Sequence, residues 1–316
     1  MKTTNTLVIG ILSITTALAV QAQTFITNGL VAYYPFNGNA IDASGNGNNG
    51  TVDGATFTTN RFGQANSAVI CNGNGNDYIS TSFTPPSGTS SRTFSVWFNT
   101  TSSTQSSNSA ATSDGDMLSY GGVNSYVGDG IDLGIQSDGD LVLGSSYCGV
   151  ATSTTWNDGK WHQFVVVIPT NSSIAQIQLF VDGAPQSNYN YYNPTYLINT
   201  AVVNPLIFCK SVRGAGYNYE GIFGGIRIYN RPLTTNEVSQ LFSFESAPIL
   251  NVQRAIYLTS STLLNGSNYQ VQASSDLINW TNQGSTFTAT NSNWQSTNYW
   301  NVNSWNQLFF RLELAQ

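Results

Sequence analysis

The sequence predicts an all-β protein: a large β domain, one short helix near residues 234–242, then a small second β domain. Three observations lead there. Charged residues are only 8% of the 316 positions, against roughly 25% in an ordinary soluble protein. Asn, Ser, Thr and Gly take their place, a composition suited to strands and turns. Apolar and polar residues alternate in run after run, the pattern of a strand with one buried face. Asp-Gly pairs at 53–54, 138–139, 158–159 and 182–183 punctuate those runs as tight turns.

Along the chain, residues 1–22 read as a signal peptide. Lys2 supplies a positive charge, Leu7 to Val20 a mostly apolar run, and Val20-Gln21-Ala22 the small residues a signal peptidase needs. The run is shorter than the roughly 20 residues that span a bilayer. A secreted protein, without a membrane anchor, is therefore expected. Residues 23–245 form the large domain. Its clearest strands are at 94–98, 117–120, 131–135, 141–143, 164–168, 177–181 and 226–229. Residues 99–113 are nearly all Ser, Thr, Asn, Ala and Gln and are expected to form a loop.

The helix has its own signal. Thr234-Thr235-Asn236-Glu237 is a capping box, with Leu233 and Val238 placed for a hydrophobic staple. Residues 249–316 make the small domain, with strands expected at 269–273 and 307–312 and four of the seven Trp.

An ordered series of short motifs runs through the large domain. It opens with Gly29-Leu30-Val31-Ala32-Tyr33-Tyr34-Pro35-Phe36 and Asp42-Ala43-Ser44-Gly45-Asn46-Gly47-Asn48-Asn49-Gly50. Phe94-Ser95-Val96-Trp97-Phe98, Asp158-Gly159-Lys160-Trp161-His162 and Leu179-Phe180-Val181-Asp182-Gly183 follow, and Gly225-Ile226-Arg227-Ile228-Tyr229-Asn230-Arg231-Pro232-Leu233 closes it. The series resembles bacterial laminin-G-like domains of the concanavalin A-like lectin/glucanase superfamily, and the resemblance implies a jelly-roll sandwich of two antiparallel sheets over roughly residues 28–243. This chain departs from the family at Asn49, where His is common, and at Gly224-Gly225, where Asp-Glu is common. The tail resembles a small β module that ends many secreted bacterial proteins.

The same fold houses retaining glucanases, whose chemistry needs two carboxylates about 5–5.5 Å apart. The chain has four Glu, at 220, 237, 245 and 313, and none pairs with another acid at i, i+2 or i, i+4. The pairs Asp114/Asp116, Asp129/Asp132 and Asp138/Asp140 all lie beside Gly and read as turn residues, with an Asp-based site as the alternative. His162, the single histidine, reads as a packing residue. No catalytic residue is assigned. The net charge of −6 argues against nucleic acid, which needs clustered Lys and Arg.

Binding chemistry remains. Asp42, Asn46 and Asn48 form an oxygen-rich loop, open to two readings: a plain Asx turn or a structural calcium site, such as jelly rolls of this kind often hold. Tyr189, Tyr191 and Tyr192, interleaved with Asn190, offer aromatic faces beside amides, as a sugar site requires. Trp294 and Trp300 among Asn and Gln are a second such surface. Three cysteines allow one bridge. Cys71 follows Ala68-Val69-Ile70 and reads as a buried thiol, leaving Cys148–Cys209 as the expected pair should one form. The expected partner is a glycan or another extracellular surface component, with a structural or adhesive protein as the alternative and a hydrolase last.

Overall fold

The computed structural model describes residues 26–103, 115–123, 128–145, 148–191, 194–214, 217–247, 255–256, 258–261, 263–296, 300–301 and 309–315. The expected signal peptide and most of the 99–113 loop lie outside these residues. No helix among the described residues is long and apolar enough to cross a membrane. The chain divides into two compact units, residues 1–247 and 248–316.

The first unit holds strands β1 (Leu30–Tyr34), β2 (Gly50–Asp53), β3 (Thr56–Thr58), β4 (Ala68–Asn72), β5 (Tyr78–Thr81), β6 (Arg92–Asn99), β7 (Gly115–Gly121) and β8 (Gly130–Ile135). After them come β9 (Asp140–Ser145), β10 (Cys148–Thr155), β11 (His162–Ile168), β12 (Gln178–Val181), β13 (Ala184–Pro185), β14 (Asn188–Tyr191), β15 (Asn204–Phe208) and β16 (Glu220–Tyr229), then helix α1 (Thr235–Ser246). Two eight-stranded antiparallel sheets result. One runs β13-β12-β11-β6-β16-β4-β3, with β1 also on β16; the other runs β14-β10-β9-β8-β7-β15-β5-β2. This is the expected sandwich.

Period-two alternation builds the core between the sheets. On β6, Phe94, Val96 and Phe98 point inward; on β8, Ile131, Leu133 and Ile135; on β11, Phe164, Val166 and Ile168. All are essentially inaccessible to solvent. The four Asp-Gly pairs turn as expected, each glycine having positive φ; Asp182 and Gly183, at 50° and 76°, carry the chain from β12 to β13.

Helix α1 covers the outer face of the first sheet, where Val238 and Leu241 pack on Val165, Val167, Phe180, Tyr229 and Leu233. Its capping box forms: Thr234 Oγ1 accepts from Glu237 N at 3.2 Å, and Glu237 Oε2 accepts from Thr234 N at 2.8 Å. The helix runs one turn beyond its expected end near 242. Glu245 explains the difference, since it is held from below. Its Oε1 accepts from Arg227 Nε at 2.6 Å, and its Oε2 from Trp97 Nε1 and Gln163 Nε2 at 2.7 and 2.8 Å.

The disulfide joins Cys71 to Cys209, with Cα atoms 5.7 Å apart, and Cys148 is the free, buried thiol. The expected Cys148–Cys209 pairing is corrected by strand order. Cys148 begins β10, and β9, β8 and β7 separate it from β15, which Cys209 follows. Four strand spacings are about 19 Å, beyond the roughly 7 Å a disulfide can span. Cys71, on the inner side of β4, instead links the first sheet to the end of β15 in the second. Burial pushes the Cys148 thiol up to about 12.

The second unit is a three-stranded sheet, β20-β19-β23, with two short strand pairs. Its strands are β17 (Ala255–Ile256), β18 (Thr259–Ser260), β19 (Asn268–Ser274), β20 (Thr281–Thr288), β21 (Trp294–Gln295), β22 (Trp300–Asn301) and β23 (Phe309–Leu314). Leu263, Tyr269 and Ala289, with Phe287, Trp294 and Leu312 against them, form its core.

Candidate functional site

The outer side of the second sheet is built from small and polar residues, and it is buried across β7, β8, β9 and most of β10. Because side chains alternate across a strand, register decides who shares this face. Ile207 lies opposite Ser119, Ser119 opposite Asp132, Asp132 opposite Gly144, Gly144 opposite Gly149, and Gly149 opposite Tyr191. A second row runs Asp116, Gly134, Val142, Ala151, Tyr189. At Gly130 a Cβ would come within 2.4 Å of Arg213 Nη2, so the guanidinium lies directly on the strand.

Arg213, from the segment after β15, organises the polar end. Its Nε donates to Asp132 Oδ2 at 2.5 Å. Asp132 Oδ1 accepts from Ser119 Oγ at 2.5 Å, and Ser119 Oγ accepts from Val212 N at 3.0 Å. Asp132 and Ser119 are wholly buried and Asp116 nearly so. Burial pushes the Arg213 pKa down, but the charges of Asp132, Asp116 and Asp129 outweigh it and raise the pKa. The structure thus gathers Asp116, Asp129 and Asp132, which read in the sequence as turn residues, around an arginine that no sequence motif singled out.

At the other end of the face stands Tyr189, 37% exposed, with Asn188 and Asn190 exposed beside it. Its hydroxyl donates to Asp140 Oδ2 at 2.8 Å, which fixes the ring. Burial pushes the Asp140 carboxyl above its ordinary value; the bond from Tyr189 offsets part of that, and the charge of Asp138 adds to it. Tyr191 occupies the neighbouring row by backbone register, and Tyr192 lies outside the described residues.

The other sequence candidates resolve differently. Asp42 closes a loop: Oδ1 accepts from the backbone N–H of Tyr33 and Ser44, and Oδ2 from that of Asn48. Burial pushes its pKa up, but these bonds, with one from the Ser44 side chain, bring it below the ordinary value. Asn46 and Asn48 turn their Nδ2 groups to the Val31 carbonyl at 3.2 and 2.8 Å. Calcium takes about six to eight oxygen ligands. Here one carboxylate spends both oxygens on backbone N–H groups, and two amides present nitrogen. The three residues as placed do not fit the ion; they make an Asx-closed loop.

His162 sits between two acids, with Nδ1 2.7 Å from Asp182 Oδ2 and Nε2 3.1 Å from Asp158 Oδ1. Its ring lies edge-on to Trp156 at 5.0 Å. Burial pushes its pKa down, but the hydrogen bonds and charges of Asp182 and Asp158 hold it above the ordinary value. Both ring nitrogens are thereby engaged.

A model described as the concanavalin A-like lectin/glucanases superfamily matches residues 72–239, more than half of the chain. The chain belongs to this superfamily. No curated protein matches it. Among solved structures, it is similar to domain 4 of AbnA, a GH43 extracellular arabinanase from Geobacillus stearothermophilus, in complex with arabinotriose: 20% identity over 67% of this chain and 97% of that one, TM-score 0.46. It is also similar to the binding domain of Paraclostridial mosquitocidal protein 1, at 18% identity over 78% and 61%, TM-score 0.49. A Trypanosoma rangeli sialidase matches at 15% identity over 69% and 33%, TM-score 0.43. The chain thus spans less than two thirds of the last two. Nothing about its ligand follows from these likenesses.

Proposed function

We propose that this chain is an exported, non-catalytic module of the superfamily that binds neutral glycans on the outer face of its second sheet. The observation that carries the reading is the part-exposed Tyr189 ring, on strand β14 at the edge of the second sheet and fixed by its bond to Asp140. A part-exposed aromatic plane matches the apolar ring face of a sugar. The net charge of −6 favours neutral sugars over acidic ones, since like charge disfavours the encounter.

The acid inventory supports a binding role. Glu237 caps α1, Glu245 lies buried under it, Glu220 accepts from Ser102 Oγ, and Glu313 pairs with Arg311. His162 has no nitrogen turned towards a nucleophile.

A glycan array with the secreted chain, paired with reducing-sugar assays on the same polysaccharides, tests this. The expected result is binding to neutral glycans without hydrolysis, and a loss of about tenfold or more in Tyr189→Ala, ~1.4 kcal/mol. Binding unchanged by Tyr189→Ala refutes the site, and release of reducing sugar refutes the non-catalytic role. Binding to proteins but to no glycan would favour the adhesive alternative.

A further inference from the structure

We infer that the second unit carries a sugar-binding cleft of its own, with Trp294 as its platform. This goes beyond the Tyr189 edge and does not depend on it. The cleft encloses about 870 Å³, within the roughly 300–1,000 Å³ typical of small-ligand sites. It is open and is lined by Trp294 with Thr259, Ser260, Asn291, Asn293 and Gln295.

Three features select the ligand. First, Trp294 is rigidly held. Its ring stacks on Phe287 at 4.5 Å with planes 7° apart, and Phe287 stacks on Tyr269 at 6.0 Å. That stack reaches the core of the unit, so the aromatic plane is set before any ligand arrives. Preorganisation of this kind lowers the entropic cost of binding. Second, the pairing of β18 with β21 puts Ser260 opposite Trp294 and Thr259 opposite Gln295, bringing hydroxyls to the rim of the indole. The turn that presents Asn293 is fixed by Asn291 Oδ1, which accepts from Asn293 N at 2.8 Å. Third, these lining residues are all uncharged. Hydroxyls and amides both donate and accept, which matches a polyhydroxylated ligand.

Without a cation among them, the lining residues offer a phosphate no counter-charge, which weighs against a single-stranded nucleic acid stacking on the tryptophan. An acidic sugar likewise finds no counter-charge. The ligand class is therefore a neutral polysaccharide. The openness of the cleft suits the interior of a chain rather than a buried end group. Two separate sites on one polypeptide would bind a polysaccharide with avidity.

Because Trp294 also covers Phe287, the deciding substitutions are Asn293→Ala and Gln295→Ala together, both on exposed residues. They are made in the full chain carrying Tyr189→Ala, which removes the first proposed site. Affinity electrophoresis is run through native gels containing soluble xylan, mixed-linkage β-glucan or galactomannan. The Tyr189→Ala chain is expected to be retarded in at least one gel, and the added pair to weaken that retardation about tenfold, ~1.4 kcal/mol. No retardation of the Tyr189→Ala chain in any gel, or retardation untouched by the added pair, overturns the inference. Failure of the Tyr189 site shows separately, as equal retardation of the wild-type and Tyr189→Ala chains.

Discussion

The two sheets bury an arginine–carboxylate pair each on their outer faces, and the pairs are used differently. On the first sheet, Arg227 meets Glu245 at 2.6 Å beneath helix α1. Aromatic rings close the site: Arg227 lies over Tyr33 at 3.8 Å, Arg61 over Trp97 at 4.1 Å, and Trp97 stacks on Phe242 at 5.8 Å. On the second sheet, Arg213 meets Asp132 at 2.5 Å on a floor of glycines. One face is filled by large side chains of the chain itself. The other is lined by glycines and small polar side chains and is buried as well. An arginine–carboxylate pair therefore anchors a helix in the first case and ties the segment after β15 to the glycine-lined strands in the second. Burial of a charge pair tells little about its role until its neighbours are known.

The largest effect should come from breaking the anchor. Glu245→Ala leaves Arg227 buried and unpaired, and such a loss costs about 3–5 kcal/mol. Urea unfolding will read that loss, while the folded fraction keeps its glycan affinity. Asp132→Asn should cost less stability, about 1–3 kcal/mol for a weakened charged hydrogen bond, and should weaken glycan binding. If Asp132→Asn moves stability alone, the second face is structural too and the contrast collapses.

A smaller effect concerns the other charged clamp of the first sheet, His162. Its pKa is raised in the folded state by Asp182 and Asp158, against the opposing effect of burial. Its contribution is therefore fully present below the ordinary histidine value of about 6.5 and is lost as pH rises through the raised value. The urea midpoint should fall between about pH 6 and pH 8, and His162→Gln should flatten that slope. An unchanged slope would detach the clamp from stability.

The smallest effect is expected at the Asp42 loop, which joins β1 of the first sheet to β2 of the second. Since its oxygens serve backbone N–H groups, calcium or chelator should shift the melting temperature by less than about 1 °C. A rise of several degrees with calcium would mean that Asn46 and Asn48 turn their oxygens to an ion, and that the junction between the sheets is metal-held.

Much of the fold was legible because it is written in local rules. The alternation at 131–135 and the apolar-rich runs at 94–98 and 164–168 mark strands, and the observed β8, β6 and β11 contain those runs. The box at Thr234 and Glu237 works within four residues, and it forms as read. Tyr189 was also readable, as an aromatic among amides. Arg213 was not. It stands 81 residues from Asp132, in a loop with no motif around it. Glu245 gave a helix end too short by a turn for the same reason: Trp97, which holds it, is 148 residues away.

The sequence by itself determined an all-β chain, its helix cap, its tight turns, and an acid inventory without a paired glucanase motif. Those follow from contacts between residues a few positions apart, which composition and periodicity report directly. Only the tertiary structure decided that Cys209 meets Cys71, that three scattered aspartates surround Arg213, and that Trp294 lies flat on Phe287 beside an open cleft. Each of these depends on strand order and register. In an antiparallel sandwich, those are set by which hydrophobic faces can be buried together, a property of the whole chain.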